Sequence, residues 1–412
     1  MEELDIVILG GGIAGLATSL ALHRKGIKSI VLERSETVRS EGAAFGIQTN
    51  GWLALQQLGL ADKLRPNSLP IHQYSLLIIH CNGNKTRIRD VLIEEGIKRR
   101  ESVGPASYGE VRGVIRNDLV RALAHELPLG TLRLGCQIVS VKLDETLSFP
   151  IVHVKNGQDI KSKVLIGCDG SNSVVSEFLG LKPTKSLSSR AVRGFTNYPD
   201  GHGFRQEFIR IKMDNVVSGR LPITPKLVFW FVVLLKCPQD SNFLRNQEDI
   251  ARFTLSSVND FSQEWKEMVK NCDINSLYIN RLRYRAPWDV MSGKFRRGTV
   301  TVAGDSMHLM GPFLGQGCSA ALEDGVVLAR CLWRKLGQDG MNNVFSRKRI
   351  EEAIDDYVRE RRGRLVRLST QTYLTSRLIE ASSPVTKLLV VVLLMIMFRD
   401  QIGHTRYDCG RL

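Results

Sequence analysis

The sequence predicts an α/β (α+β) fold: a nucleotide-type domain with a parallel sheet, an inserted and mostly antiparallel β-sheet domain, and a C-terminal helical segment. Three observations predict it. A glycine-rich turn, Gly10-Gly11-Gly12-Ile13-Ala14-Gly15, follows an apolar run near the start of the chain. A second glycine-rich stretch, Gly304-Asp305 with Gly311 to Gly317, lies about 290 residues later. Between them, Lys226 to Lys236 (KLVFWFVVLLK) has the aromatic and β-branched content of a sheet strand.

Asp5 to Leu9 (DIVIL) suits a buried parallel strand, and Ile13 to Lys25 is apolar at helical spacing up to Gly26, which caps it. The glycine turn between them is a strand-to-helix crossing. Gly10 permits the tight turn, Gly12 lets a pyrophosphate approach the backbone, and Gly15 lets the helix pack on the sheet. The helix N-terminus offers unpaired N–H groups and positive potential. A second strand, Ser29 to Leu32, ends at Glu33, about 20 residues on, where an acid accepts ribose hydroxyls. A glycine triplet alone is weak evidence; the strand before it and the helix after it make this one a dinucleotide site, with an empty α/β turn as the competing reading.

Gly298 to Ala303 (GTVTVA) predicts a strand leading into Gly304-Asp305, and the loop from Ser306 to Cys318 feeds an apolar-faced helix, Ser319 to Lys335. Asp305 is placed to accept hydrogen bonds from a polyol chain. The helix N-terminus favours negative charge on a ring docked at its start, and a reduced flavin carries such a charge. A nicotinamide enzyme has no need of this second grip. The two stretches together therefore point to FAD, held by a Rossmann-like FAD-binding domain.

With a third motif, Gly167-Cys168-Asp169-Gly170-Ser171-Asn172-Ser173, the chain resembles the FAD-dependent aromatic hydroxylases and epoxidases. These class A flavoprotein monooxygenases include salicylate and hydroxybenzoate hydroxylases and zeaxanthin epoxidase, and the likeness is greatest to the plant monooxygenases among them. The resemblance runs over most of the chain. It implies that Gly10, Gly12, Ile13, Ala14, Gly15, Glu33 and Arg34 hold FAD at the first turn, and that Asp169 serves both FAD and passing NAD(P)H. It implies further that Arg116 touches the flavin side, that Gly304 and Asp305 hold the ribityl chain, and that Pro312, Gly315, Gln316, Gly317 and Cys318 line the ring. Two positions depart from the family pattern: Ser176 stands where an arginine is frequent, which weakens any account of how the nicotinamide is held, and Ser306 replaces an alanine, a small change expected to be neutral.

The implied reaction uses NADH or NADPH as a transient co-substrate to reduce the flavin. Oxygen then forms a flavin hydroperoxide that passes one atom to a small aromatic or otherwise electron-rich substrate, while the protein positions groups and excludes water. No confident catalytic side chain and no metal cluster are read from the sequence. His308 is the one titratable residue beside the flavin loop able to shuttle a proton, although the family motif often has a histidine there without that task.

The motifs imply a discontinuous layout: residues 1–70, 105–180 and 285–335 form the FAD-binding domain, 71–104 and 181–284 the substrate domain, and 336–412 a C-terminal helical region. In the strand from Lys226, Phe229 and Phe231 share one face and Trp230 the other, so only one set lines a pocket. Phe229, Phe231 and Phe313 are candidate substrate contacts, with core packing as the competing reading. Glu351 to Leu368 alternates acids and arginines at helical spacings, which predicts a salt-bridged exposed face without chemistry.

Composition bounds the partners. Apolar residues at 43% exclude disorder, and 57 Lys and Arg against 42 Asp and Glu give a net charge of +15. The basic residues are spread among acidic ones and no nucleic-acid module is present, so nucleic acid is not the expected partner; the excess charge either attracts anions such as NAD(P)H or an aromatic carboxylate or, as an equal reading, is simply a solvated surface. Eight cysteines without a Cys-x-x-Cys pair indicate the cytoplasm or another reducing compartment. The first strand begins almost at once, leaving no room here for a signal or transit peptide. Leu388 to Phe398 (LLVVVLLMIMF) is wholly apolar but short of the roughly 20 residues that span a bilayer. Burial is the expectation for it, with peripheral membrane contact by 388–398 as the alternative. Rival functions are a carotenoid- or lipid-type flavin epoxidase, a flavin reductase or oxidase without oxygen transfer, and a GDI-like binding protein that keeps only the first glycine turn.

Overall fold

The structure is a computed structural model that describes residues 1–38, 43–79, 85–92, 109–146, 148–235, 246–337, 346–400 and 402–412. Five parallel strands drawn from distant parts of the chain make the centre of the first sheet. Their order across it is Val300–Val302, Asp159–Gly167, Glu2–Leu9, Ile30–Leu32 and Leu132–Arg133. Ile6 to Leu9 are buried without alternation, as expected for a strand covered on both faces. The strand predicted from Asp5 starts three residues earlier, at Glu2, because the whole of Glu2–Leu9 pairs with Asp159–Gly167.

The first helix, Ile13–Arg24, is buried from Ala14 to Leu22 between this sheet and a helix from the far end of the chain, Gly317–Leu336. It ends at Gly26, whose φ of 73° is the left-handed conformation of a helix stop.

The second sheet has seven strands, in the order Tyr278–Tyr284, Lys185–Asn197, Leu227–Leu234, Val216–Thr224, Glu207–Met213, Gln73–Ile79 and Lys85–Leu92. All pairings are antiparallel except that of Glu207–Met213 with Gln73–Ile79. Leu227–Leu234 is the strand expected from Lys226, in the middle of the sheet; Lys236 lies outside the described residues, as do 80–84 and 93–104 of the 71–104 segment. Trp230 is fully buried with Trp265 and Leu277 under the helices Gln247–Ser257 and Gln263–Lys270. That covering leaves the opposite face, with Phe229 and Phe231, to look toward the first sheet.

Two expectations for the C-terminal segment are overturned. Glu351 to Leu368 lies within one long helix, Arg347–Glu380, but it is not simply an exposed charged face. Arg361 is fully buried and clamps Glu323 and Asp324 of Gly317–Leu336 at 2.8 and 2.7 Å. The charge pattern conceals this because a long helix lying across a domain turns one stripe inward, and a buried acid pair selects the arginine that meets it. The run Leu388 to Phe398, expected to be buried, belongs to a helix Pro384–Met397 that is mostly exposed. Among the described residues its only large apolar neighbour is the long helix, where Val390, Leu394 and Phe398, spaced four apart, cluster with Leu374, Tyr373 and Leu378. No helix among the described residues is long and apolar enough to cross a membrane.

Candidate active site

The first glycine turn is built by the end of Glu2–Leu9. Gly10 has φ 103°, and a Cβ there would stand 2.4 Å from the Cys168 carbonyl oxygen, so no other residue fits. Its N–H donates to Leu32 O at 2.8 Å, pinning the turn to the second strand. Glu33 then reaches back: its two carboxylate oxygens accept from Gly11 N–H at 2.6 Å and Ser35 N–H at 2.9 Å. The carboxylate keeps further lone pairs and lines the same cavity as Gly10, Gly12, Ile13, Ala14 and Arg34. Gly15 does not reach that cavity. A Cβ on it would be 2.0 Å from Gly10 O, so it is required for the turn to lie against its own helix.

The second grip meets the first directly. Gly304, with φ 61°, follows the strand Val300–Val302, and a Cβ there would stand 2.6 Å from Ala14 Cβ. Close packing of this turn on the Ala14 side chain of the first helix, rather than ligand contact, is what this glycine supplies. From here Asp305 and Arg116 face into the cavity together with Pro312, Gly315, Gly317 and Cys318. The Asp305 side chain is open to the cavity but the cavity is sunk in the protein. This enclosure raises its carboxyl above the ordinary value, against the lowering effect of His308 and Arg116.

His308 and Gln316 are not brought to the cavity. His308 is fully buried, with Nε2 at 2.7 Å from Asp324 Oδ2, on the side of the turn facing the long helix. Asp324 also accepts from Gly304 N–H at 2.8 Å and from Arg361 Nε at 2.7 Å. Burial pushes its carboxyl up, but His308, Arg361 and these hydrogen bonds outweigh that and hold it below its ordinary value. His308 thus fixes the turn that presents Asp305. Gln316 is held behind the loop by Gln48 and by Asn50 Nδ2 at 2.8 Å; Asn50 in turn donates to Glu323 at 2.6 Å.

The middle motif joins the two grips. Asp169 lines the cavity, yet its carboxylate accepts from Ser173 Oγ at 2.5 Å, Val174 N–H at 2.7 Å and Ser306 Oγ at 3.1 Å. Burial still raises it above the ordinary value. Ser306, expected to be a neutral replacement, accepts from Gly170 N–H at 2.8 Å while donating to Asp169. The other departure, Ser176, donates to Ser306 O at 2.7 Å, and Arg285 Nη2 donates to the same oxygen at 3.2 Å. The two serines therefore act as one fastening between the second and third motifs.

The opposite wall is the free face of the second sheet. Phe229 and Phe231 line it as the strand parity requires, and Phe313, from the glycine-rich loop, packs against the same face beside Val217 and Val233. The register places Arg193 opposite Phe231, Phe231 opposite Gly219, and Gly219 opposite Arg210, so two arginines flank one aromatic row on that face. Neither was anticipated. Arg193 Nη1 donates to Asn280 Oδ1 at 2.6 Å, and Arg210 Nη2 to Phe313 O at 3.2 Å. Burial depresses both guanidinium pKa values, and among the described residues no carboxylate offsets it; only Tyr278 and Tyr74, respectively, act in the other direction. Tyr74 also lines the cavity, and burial pushes its hydroxyl up to about 12, so it stands protonated as a donor. A basic residue inside an apolar strand was the available signal, but strand alternation does not say which face is a pocket wall.

The cavity, a deep cleft open on one side, has a volume of about 800 Å³, at the large end for a small-molecule site. Its residues fit FAD. Apart from the adjoining backbone, no heavy atom of the described residues lies within 4 Å of where a Cβ would project from Gly12, Gly315 or Gly317, so the backbone there is open to a ligand. The N-termini of the two helices Ile13–Arg24 and Gly317–Leu336 end at the cavity, suited to negative charge. Among the described residues the Asp305 carboxylate has no hydrogen-bonding side-chain partner that would compete with a hydroxylated ligand.

A family model described as an FAD binding domain matches residues 3–372. The chain is 58% identical to Monooxygenase 1 of Arabidopsis thaliana over 100% of both chains, and 35% identical to Monooxygenase 2 of the same plant over 99% of this chain and 98% of the relative. Its fold is similar to that of Klebsiella pneumoniae HpxO, whose crystal structure holds FAD and uric acid, with a TM-score of 0.78 at 18% identity over 98% of this chain and 96% of that one.

Proposed function

The chain belongs to the FAD-dependent aromatic hydroxylase family, the class A flavoprotein monooxygenases, and is an FAD-dependent oxidoreductase; from that premise we propose that it uses NAD(P)H to insert one atom of O2 into a small, anionic, electron-rich aromatic substrate. An enzyme of this family is not the GDI-like binding protein that the first glycine turn alone allowed.

The carrying observation is the pair Arg193 and Arg210 on the sheet wall, two half-buried cations that open only onto the cavity they line and have no carboxylate partner among the described residues. A buried charge is costly unless paired, so an anion entering here is favoured over a neutral ring of the same shape. Bound FAD supplies the oxygen-transfer chemistry, with NAD(P)H as the electron source. Glu33 and Arg34 would hold the adenosine half, Asp305 the polyol, and Arg116 with the loop Pro312 to Cys318 the ring. Phe229 and Phe231 exclude water from the reacting centre, and the protonated Tyr74 donates to an oxygen of the substrate. In this reading, residues 1–70, 105–180 and 285–335 hold the cofactor and 71–104 with 181–284 receive the substrate.

The test is a panel of aromatic carboxylates and phenols, each beside its uncharged amide or ether, scored for NAD(P)H oxidation and hydrogen peroxide release. A substrate should raise the first while suppressing the second, and only in its anionic form. Equal coupling with the uncharged partners would overturn the assignment.

A further inference from the structure

The helix Pro384–Met397 is the least conventional surface of the molecule. Among its fourteen residues only Lys387 is charged. Val385, Leu388, Leu389, Leu393, Met395 and Ile396 are 44 to 69% exposed, on the side turned away from the long helix. A contiguous apolar patch of this kind marks an interaction site. At about 1.5 Å per residue the helix is about 21 Å long, too short for a hydrocarbon core of roughly 30 Å.

We propose that this helix docks the enzyme on an anionic lipid surface, lying in the headgroup plane with its outer face inserted. Charge complementarity chooses the occupant. Lys387 in its first turns and Arg399 just past its end are exposed, as are Arg367 and Arg377 on the adjoining long helix. Between residues 365 and 406 the chain has five basic and two acidic residues. Both acids are engaged: Glu380 accepts from Ser189 Oγ, and Asp400 pairs with Arg406. Lys212 of the second sheet, tied to Ile379 O at 2.6 Å, lies close enough to Lys387 to feel its charge. The patch is thus apolar at its centre and cationic at its rim, the pattern of an interfacial anchor whose polar side is the protein body. A second copy fits less well, because a two-fold contact sets the same basic rim against itself. The docking does not rest on the oxygen-transfer reading, although Ile379 lines the cavity and so places the docked face beside it.

Flotation of the full-length FAD-loaded protein with vesicles of phosphatidylcholine, with and without phosphatidylserine, tests this. Wild type should float with the anionic vesicles and be released by raised salt. The double variant Leu389→Glu/Ile396→Glu should lose flotation while keeping its flavin absorbance and melting temperature. The rim variant Lys387→Glu/Arg399→Glu, altered only at exposed positions, should bind at least about tenfold less. Wild type that stays unbound with anionic vesicles, or either variant floating as well as wild type, overturns the proposal. So does a dimer in solution that Leu389→Glu/Ile396→Glu dissociates without any vesicle binding, which assigns the face to a second copy.

Discussion

Arg210 shows how much a single side chain carries here. Its guanidinium touches the glycine-rich loop through Phe313 O and lies 5.7 Å from the Phe208 ring centroid, so it is aimed by the protein and, among the described residues, keeps donors to spare. Arg210→Gln should raise KM for an anionic substrate by about ten- to a hundredfold, the worth of hydrogen bonds to a charged group. It should leave KM for NAD(P)H and the flavin spectrum unchanged, which steady-state kinetics and absorbance would check. Lysine should not restore the loss, since the planar fork is what addresses a carboxylate. At this scale the glycines were legible and the arginines were not. Gly10 is dictated by its own backbone angle and the Cys168 carbonyl, both of which follow from a strand-turn-helix pattern. The position of Arg193 and Arg210 in a cavity depends on two other helices covering the reverse face of the sheet around Trp230.

Among the elements, the contact between the long helix and Gly317–Leu336 is the most consequential. Arg361, Glu323 and Asp324 are all fully buried there, with Arg364 at 3.2 Å and Asn50 at 2.6 Å from Glu323. Removing one partner from such a set leaves uncompensated charge, so Arg361→Met should destabilise by about 3–5 kcal/mol, measurable by denaturant unfolding. The network also sets an acid limit. The Asp324 carboxyl is held below its ordinary value of 3.8, so its contribution is complete above that pH and is lost as pH falls through the lowered value. Arg361→Met should therefore cost most near neutrality and least in acid. Sequence periodicity gave the long helix its length and charge pattern but not its buried stripe, because alternating charges look alike whether they meet water or a partner. The apolar helix at 384–397 misled in the opposite direction: hydrophobicity sets the preference for burial, yet among the described residues the fold provides only one neighbour to bury against.

For the whole molecule, the cavity is a joint between two sheets and three separated stretches of chain, so a ligand that bridges them stabilises the entire fold. Apoprotein titrated with FAD should gain about 2.7 kcal/mol when the free flavin nucleotide is a hundred times its Kd, seen as one upward-moving melting transition. Gly12→Val should abolish that gain by filling the space open above the first turn. Two separate transitions, only one of them moved by FAD, would show the sheets to be independent. The order of the motifs made this architecture readable, since two halves of one expected grip at residues 10–15 and 304–317 require the chain between them to carry an insertion. The seven-strand order, with its single parallel pair, was not readable, because pairing between Gln73–Ile79 and Glu207–Met213 joins segments with no local signal for each other.

The touch between Ala14 and Gly304 also bears on how the protein is made. The first of these leaves the ribosome 290 residues before the second, an interval of roughly 15 to 60 s at ordinary synthesis rates. Throughout it the nascent chain lacks the Asp305 side of the cavity, and closure of the central sheet by Val300–Val302 cannot begin. If both turns hold FAD as proposed, a chain that has passed Gly317 is the first species to own both grips, so flavin uptake is expected late in synthesis rather than beside the first strand.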